Sequence, residues 1–164
     1  MAKYKYASKI ENEKNAKAVG RDLPASLKHS VEVCNLIRNK TVEKAKKTLM
    51  DVIEKKEAVP YRKFQQDLAH RKNIGPGRFP VKTCENILET LKAAEANAVF
   101  KGLGKDLFIK SIVPQRAAKQ WHYGRKRRRH MKRAHIEIVL ESGTPKEIKK
   151  VFRPFKRMRH MARR

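Results

Sequence analysis

The chain has 164 residues and carries 42 Lys and Arg against 16 Asp and Glu, so its formal net charge is +26 and its pI is near 10.5. This length suits one domain, and a 40% share of hydrophobic residues is too high for a wholly disordered basic tail. We expect neither a secretory signal peptide nor a membrane span, because no uncharged stretch approaches the ~18 residues that a span needs. A charge this large opposes compaction by self-repulsion, so we expect a polyanionic partner, and nucleic acid fits best.

Two amphipathic helices are predicted in the first third of the chain. The first lies between Leu23 and Arg38, with Pro24 in its first turn. The second begins at Thr41, whose hydroxyl we expect to cap the free N–H groups, and it ends before Pro60. Their apolar stripes consist of Leu27, Val31, Cys34 and Ile37 in the first helix and of Val42, Ala45, Leu49, Val52 and Ile53 in the second. Each helix therefore offers one face to a core.

The segment 57–79 lacks both the helical and the strand period. It contains Gly75-Pro76-Gly77 and several Lys and Arg residues, so we predict an irregular, basic connection. We expect Tyr61, Phe64 and Phe79 to hold this connection in place.

A third, longer helix is predicted from Pro80 to a stop at Gly102. Its buried face consists of Cys84, Ile87, Leu88, Leu91, Ala94 and Ala98. After Gly104 the period changes to two, which predicts a strand. In this strand we expect one face to carry Leu107, Ile109 and Val113 and the other to carry Phe108, Lys110 and Ile112.

A second strand is predicted over residues 135–141. There the apolar Ile136, Ile138 and Leu140 alternate with His135, Glu137 and Glu141. We expect the two strands to pair antiparallel and Tyr4-Lys5-Tyr6 to supply a third strand. Because the helices precede the strands, we predict an α+β fold with three helices packed on a small antiparallel sheet.

The segment 114–133 lies between the two strands and is strongly basic. Its 20 residues include nine Lys and Arg and no acid, together with one Trp, one Tyr and two His. A structureless loop of this length is improbable inside a domain, so we predict a long protruding β-hairpin over 107–141, whose ribbon projects roughly 30 Å. The predicted organisation is one globular RNA-binding domain over 1–141 that includes this hairpin, followed by a basic C-terminal tail over 142–164.

The tract Gly124-Arg125-Lys126-Arg127-Arg128-Arg129-His130 is predicted to contact phosphates, because each Arg offers a forked pair of donors. Trp121 and Tyr123 lie just before it and suit stacking on unpaired bases. The alternatives are a nuclear-localisation string or a solvated run of charge for the tract, and a packing anchor for Trp121.

No catalytic or metal-binding constellation emerges from the residues. The six histidines are scattered without metal-ligand spacing, and no nucleophile has a base and an orienting group assigned to it. Cys34 and Cys84 lie far apart in helical patterns, as small buried hydrophobic residues do. We therefore expect no enzyme, no metal and no cofactor.

Six segments in a fixed order carry a resemblance to a known family. They are Ala16-Lys17-Ala18-Val19-Gly20-Arg21-Asp22-Leu23-Pro24, Val59-Pro60-Tyr61-Arg62-Lys63-Phe64, Gly77-Arg78-Phe79-Pro80, Ala93-Ala94-Glu95-Ala96-Asn97-Ala98 with Lys101-Gly102-Leu103, Gly124-Arg125, and His135-Ile136-Glu137-Ile138-Val139-Leu140. The chain resembles the large-subunit ribosomal protein family numbered twenty-two in bacteria and seventeen in eukaryotes, in its archaeal and eukaryotic form. The resemblance covers roughly residues 16–141.

This resemblance implies a structural protein that binds ribosomal RNA near the polypeptide exit tunnel. The implied partners are the RNA, neighbouring large-subunit proteins and the nascent polypeptide, with no membrane and no homo-oligomer. The implied location is the cytoplasmic ribosome, with nuclear or nucleolar transit if the cell is eukaryotic. Because Gly124-Arg125 matches the Gly-Arg pair of the family, the tunnel-lining hairpin tip is expected to consist of Trp121, His122, Tyr123, Gly124, Arg125, Lys126 and Arg127.

A set of basic and aromatic residues is predicted to contact the RNA. It comprises Arg21, Lys28, Arg62, Lys63, Arg71, Lys72, Arg78, Lys82, Arg116, Lys119, Trp121, Tyr123, Arg128, Arg129, Lys132 and Arg133. Two other classes of function stay open on the residues alone. One is a small basic DNA-binding or chromatin protein, and the other is a membrane- or partner-binding segment formed by Phe152, Phe155 and Met158 in the tail.

Overall fold

A computed structural model of the chain describes residues 5–7, 14–104 and 106–143. The elements in chain order are β1 (Asn15–Leu23), α1 (Leu27–Ile37), α2 (Val42–Ile53), β2 (Val59–Pro60), β3 (His70–Arg71), β4 (Gly75–Arg78), α3 (Val81–Phe100), β5 (Leu107–Arg116), a short 3-10 helix (Gly124–Lys126) and β6 (Ala134–Ser142). Three helices and small antiparallel sheets form the α+β fold that the sequence predicts. Within the described residues, no helix is both long enough and apolar enough to cross a bilayer.

The main sheet has the strand order β1-β6-β5, and both pairs are antiparallel. The predicted pairing of β5 with β6 is confirmed. The prediction of a third strand at Tyr4-Lys5-Tyr6 is wrong, because residues 5–7 belong to no strand and β1 takes that place; Tyr4 lies outside the described residues. The sequence pattern missed β1 because its inward residues, Ala16 and Ala18, are too small to give a clear alternation.

The core lies between one face of the main sheet and the three helices. Cross-strand rows place Ala16 opposite Leu140 and Ala18 opposite Ile138, so the small residues of β1 let α3 approach closely. One close approach lies at Gly20, where an added Cβ would lie 2.7 Å from both Leu23 Cδ1 and Thr90 Oγ1. A side chain at this position would therefore collide with α3.

The first two helices depart from their predictions in detail. α1 begins at Leu27 and not at Leu23, because the residues before it complete β1 and the turn that follows. The buried face of α1 is rotated from the predicted stripe: Val33 is fully buried, whereas Leu27 and Val31 are half-buried. In α2 the predicted stripe is buried except for Ile53, which is half-buried.

Thr41 starts α2 without capping it through its hydroxyl. It is the N-cap residue, but its side chain makes no capping hydrogen bond. Its backbone forms an isolated antiparallel bridge with Phe108, and the Lys40 carbonyl accepts a hydrogen bond of 3.0 Å from the Ile109 N–H. The link between α1 and α2 therefore covers the outer edge of β5.

α3 agrees with its prediction at both ends. It follows Pro80 and is closed by Gly102, which has a φ of +69°. The N–H of Gly102 bonds the Val99 carbonyl at 2.9 Å, and that of Leu103 bonds the Ala98 carbonyl at 3.0 Å. These two bonds form the Schellman stop that glycine favours.

The segment 57–79 is more regular than predicted, so the expectation of an irregular connection is wrong. It holds a second small sheet in the order β2-β4-β3, and Gly75-Pro76-Gly77 forms most of β4. The proline has no N–H, but its carbonyl accepts a bond of 2.9 Å from the Tyr61 N–H. Strands of two to four residues leave too little period in the sequence to be recognised.

The strict alternation predicted for β5 is also wrong. A register shift between Ile109 and Ser111 makes Lys110 an extra residue in the ladder. After the shift Ile112, and not Val113, joins Leu107 and Ile109 in the core. The physical reason is that a bulge inverts which residues face the helices.

Glu137 of β6 is buried, although the alternation predicts an outward residue. It is 1% exposed, and its carboxylate accepts hydrogen bonds from the Ala7 N–H at 2.9 Å and from Gln115 Nε2 at 2.7 Å. Residues 5–7 therefore lie against the face of the sheet opposite the helices.

Cys34 and Cys84 are buried as predicted, and burial raises the pKa of each thiol to about 12.

Replacement of Leu91 tests the position of the core. Leu91→Ala is expected to lower the free energy of unfolding by about 2–5 kcal/mol, because the side chain is completely buried and its loss leaves a cavity. Val99→Ala on the same helix is the matched control, since Val99 is 69% exposed and the expected change is within about 0.5 kcal/mol. Urea titration of the full chain measures both, and equal effects would contradict the described burial.

Candidate nucleic-acid interface

The residues between β5 and β6 continue the antiparallel pairing; we call residues 117–133 the ribbon. Backbone bonds join Met131 N–H to the Gln120 carbonyl at 2.7 Å and His122 N–H to the Arg129 carbonyl at 2.8 Å. The chain then reverses through the 3-10 helix at Gly124–Lys126, where Gly124 has a φ of +61°. These bonds extend the β5–β6 pair up to the turn; the reach of the hairpin and its entry into RNA stay predictions.

The base of the ribbon is braced against the end of β1. The guanidinium of Arg133 donates from Nη1 to the Asp22 carbonyl at 3.1 Å and from Nη2 to Gln120 Oε1 at 3.3 Å. The Asp22 N–H in turn donates to His135 Nδ1 at 3.0 Å. Arg133 is half-buried and holds the ribbon, and its predicted contact with RNA stays a prediction.

Trp121 lies in an arm of the ribbon, opposite His130. Their rings are stacked, with centroids 3.6 Å apart and an angle of 33° between planes. Trp121 is nevertheless 60% exposed, and Tyr123 at the start of the turn is 85% exposed. Exposed aromatic faces of this kind suit stacking on unpaired bases.

The turn of the ribbon presents a run of unpaired cations. Arg125, Lys126, Arg127, Arg128 and Arg129 are all exposed. The ion pairs found among the described residues involve no ribbon residue. The charge of this run is therefore available to an external anion, and forked Arg donors match phosphate oxygens.

A second basic cluster surrounds the first turns of α1. The Nζ atoms of Lys28 and Lys63 lie 5.9 Å and 5.7 Å from the centroid of the Phe64 ring. We use the name helix-one patch for the exposed residues Lys28, Arg62, Lys63, Arg78 and Lys132.

His29 of α1 lies close enough to the ribbon and to β4 for their charges to affect its pKa. Its ring meets Tyr61 edge-on at 5.7 Å, and burial lowers the pKa of His29 below 6.5. The nearby Gln65 side chain opposes this shift in pKa, whereas the positive charges of Lys132 and Arg78 lower the pKa further. Electrostatic coupling of this kind requires the ribbon and β4 to lie near α1.

The remaining predicted RNA-binding residues are distributed over other elements. Arg71 lies over the Phe79 ring at 5.5 Å, and Lys72 follows it in the turn before β4. Lys82 is exposed in the first turn of α3, and Arg21 is exposed near the end of β1. Further exposed members are Arg116 at the end of β5 and Lys119 in the ribbon. The structure does not gather these residues into the helix-one patch.

Three features of the interface escape sequence reasoning. The ring of His130 stacks on Trp121, and the rings of Phe64 and Phe79 each lie beside a cation. The Glu32 carboxylate accepts hydrogen bonds from the backbone of a basic loop. A signal existed for the aromatics, which are interleaved with Lys and Arg. No signal existed for Glu32, a single acid in a helix.

Among the described residues, no group of His, Cys, Asp and Glu is arranged to hold a metal ion.

A family model described as ribosomal protein L22p/L17e matches residues 18–141. The chain belongs to this family. The match begins in β1 and ends in β6, so it includes the main sheet, the three helices and the ribbon. The resemblance stated on sequence motifs is thereby confirmed.

Curated relatives named large ribosomal subunit protein uL22 agree with this match. The protein of Archaeoglobus fulgidus is 42% identical over 138 residues, which cover 82% of this chain and 85% of that protein. The protein of Methanopyrus kandleri is 42% identical over 142 residues, covering 80% and 89%. That of Thermofilum pendens is 37% identical over 152 residues, covering 85% and 97%. The relatives are structural ribosomal proteins, which confirms the prediction of a protein without enzymatic activity.

Titration of His29 tests the contact between ribbon and α1. Its pKa in the folded chain is expected below 6.5, and Lys132→Ala is expected to raise it because a nearby positive charge is removed. Lys119→Ala, also in the ribbon, is the control and is expected to leave it unchanged. NMR titration of the imidazole C–H signals measures the three values, and an unchanged pKa in Lys132→Ala would contradict the described placement.

The same shift gives the pH dependence of stability its sign. Between the lowered pKa of folded His29 and 6.5, the unfolded chain binds a proton that the folded chain does not. The contribution of His29 to the free energy of unfolding is thus fully present above pH 6.5. It is lost as the pH falls from 6.5 through the lowered pKa of the folded chain.

Proposed function

We propose that the chain is a structural constituent of the large ribosomal subunit that binds ribosomal RNA near the polypeptide exit tunnel. The observation that carries the proposal is the family match, which extends through an exposed cationic ribbon. Its proposed partners are ribosomal RNA and neighbouring proteins of the subunit, and its proposed location is the cytoplasmic ribosome. Nucleolar transit during assembly applies only if the source cell has a nucleus.

The mechanism follows from two surfaces with different rigidity. Apart from Lys132 of the ribbon, the helix-one patch lies on α1, β4 and the loop after β2, and it suits docking on folded RNA by shape and phosphate contacts. The ribbon has no core of its own beyond the Trp121–His130 stack, so its order depends on the RNA around it. Ordering backbone costs about 1–2 kcal/mol per residue, which charge-assisted contacts from the arginines offset on assembly.

The hairpin tip is proposed to line the tunnel and contact the nascent chain. The described turn presents Tyr123, Gly124, Arg125, Lys126 and Arg127, whereas Trp121 and His122 lie in the adjoining arm. We extend the proposal to the domain organisation: residues 1–141 act as one RNA-binding unit, supported by a core cluster that runs from Ala16 to Leu140. The proposed basic tail over 142–164 falls almost wholly outside the described residues.

The competing function is that of a small basic DNA-binding or chromatin protein, because the positive charge of this chain would serve DNA binding equally well. Against it, the cations of this chain are spread over a ribbon and a loop cluster and are not concentrated on one recognition helix. The membrane alternative concerns Phe152, Phe155 and Met158, which lie outside the described residues.

Sedimentation tests the proposed function. A tagged copy in its native cell extract is expected to migrate with the large subunit in a sucrose gradient, to stay there through a high-salt wash, and to be released by RNase. Many phosphate contacts and a threaded ribbon account for the salt resistance. Release at moderate salt into light fractions would contradict the proposal and favour the DNA-binding alternative.

Neutralising the turn tests tunnel lining. The combined variant Arg125→Ala, Lys126→Ala and Arg127→Ala is expected to change the pausing of charged nascent segments a few-fold, with acidic segments passing faster, because each exposed charge contributes about 0.2–1 kcal/mol. Ribosome profiling of reporters with acidic and neutral segments measures the effect on fully occupied subunits.

The control removes the same number of exposed cations from α2 and its C-terminal end, with Lys44→Ala, Lys47→Ala and Lys55→Ala. Unchanged pausing in the turn variant, on intact ribosomes, would overturn the tunnel-lining proposal.

A further inference from the structure

Glu32 is a buried carboxylate in a strongly basic protein. It lies on α1 and is 2% exposed. Its oxygens accept hydrogen bonds from the backbone N–H groups of Arg62 at 3.2 Å, Lys63 at 2.9 Å and Phe64 at 2.8 Å. Burial of a carboxylate is unfavourable unless such donors satisfy it, so the loop is folded around this anion.

The rest of the loop is held as well. The Tyr61 N–H bonds the Pro76 carbonyl of β4 at 2.9 Å, and the Arg62 carbonyl accepts a bond from Gln66 Nε2. Four consecutive backbone N–H groups, from 61 to 64, thus have partners inside the protein. The backbone of the loop is ordered before any ligand arrives, which removes an ordering cost from binding.

The side chains of the same loop point their charges outward. Arg62 and Lys63 are exposed, and Lys28 lies one helical turn before Glu32, on the same face of α1. The ion pairs among the described residues leave all three cations unpaired, and Glu32 satisfies backbone groups rather than a cation. Unpaired cations on an ordered backbone suit the phosphodiester groups of RNA.

We propose that Glu32 is a positioning residue that preforms an RNA phosphate site made by Lys28, Arg62 and Lys63. The carboxylate does not touch the RNA; it holds the backbone that presents the cations. This inference rests on the proposed function, because it identifies one point at which the chain engages ribosomal RNA.

Glu32→Gln separates this role from simple electrostatics, because the two predict changes of opposite sign. The variant raises the net charge by one, so long-range electrostatics alone predicts tighter RNA binding. Loss of the anchor predicts weaker binding, about three- to tenfold, since an amide offers one acceptor oxygen and the N–H groups lose their charged partner. Filter binding of the full chain to a transcript of the large-subunit rRNA, over a series of salt concentrations, measures the change.

Two further variants complete the design. Glu95→Gln makes the same charge change in a surface ion pair with Lys46 and is expected to leave affinity unchanged or slightly tighter. The double variant Arg62→Ala with Lys63→Ala is expected to weaken binding and to lower the salt slope by about two, as lost phosphate contacts do. In that double variant, Glu32→Gln is expected to change affinity less than about twofold, because the cations that it positions are gone.

Hydrogen exchange of the free protein gives a readout that does not depend on RNA. The amides of residues 62–64 are expected to be protected in the wild type and to lose protection in Glu32→Gln, while those of α3 stay protected. Unprotected amides in the wild type would overturn the preformed site.

The outcomes separate the two proposals. A wild-type chain that binds the rRNA transcript no better than poly(U) overturns the proposed function, and this inference with it. Specific wild-type binding that Arg62→Ala with Lys63→Ala weakens but Glu32→Gln does not would overturn this inference alone. Equal weakening by Glu32→Gln in both backgrounds would also overturn it, since the carboxylate would then act only on the stability of the fold.

Discussion

Shortage of negative charge is the constraint on which this structure depends. With a net charge of +26, each carboxylate placed in the interior removes one from the surface, where it would neutralise a cation. Glu32 and Glu137 are both buried and accept bonds from backbone N–H groups. Two more, Glu95 and Glu141, pair with lysines at the surface. The ribbon and the helix-one patch are thus left without neutralising partners among the described residues, so their charge is available to an external polyanion.

The main sheet connects the core to the cationic surface. β5 and β6 share their apolar rows with β1 and the helices, and the same two strands run on into the ribbon. Between Arg116 opposite Ala134 and Trp121 opposite His130 the register shifts by one residue, and the pairing then continues to the turn. A hydrogen bond from Arg133 to the Asp22 carbonyl holds the base of the ribbon to the end of β1. Packing at one end of the strands in this way orients aromatic and basic groups at the other.

Two surfaces of different order, both proposed to bind RNA, follow from this arrangement. The loop over Glu32 is ordered by bonds within the protein, whereas the ribbon turn has few contacts with the rest of the described chain. A preordered site favours initial docking, and a segment that gains its contacts on binding suits threading between RNA segments. The family to which the chain belongs consists of ribosomal proteins.

The sequence by itself determined the α+β class, the start of α2, both ends of α3, the pairing of β5 with β6, the cationic segment between them and the family. One-sided burial gives helices and strands a regular spacing of apolar residues, and a dense run of charge is visible as a cluster, so a sequence pattern records both. Only the tertiary structure decided that β1 is the third strand, that a bulge at Lys110 inverts the faces of β5, and that short strands order the segment before α3. It also decided that Glu32 holds a loop about thirty positions away and that His130 stacks on Trp121. Such contacts join residues distant in the chain through single hydrogen bonds and ring contacts, and a one-dimensional pattern does not record which donor meets which acceptor.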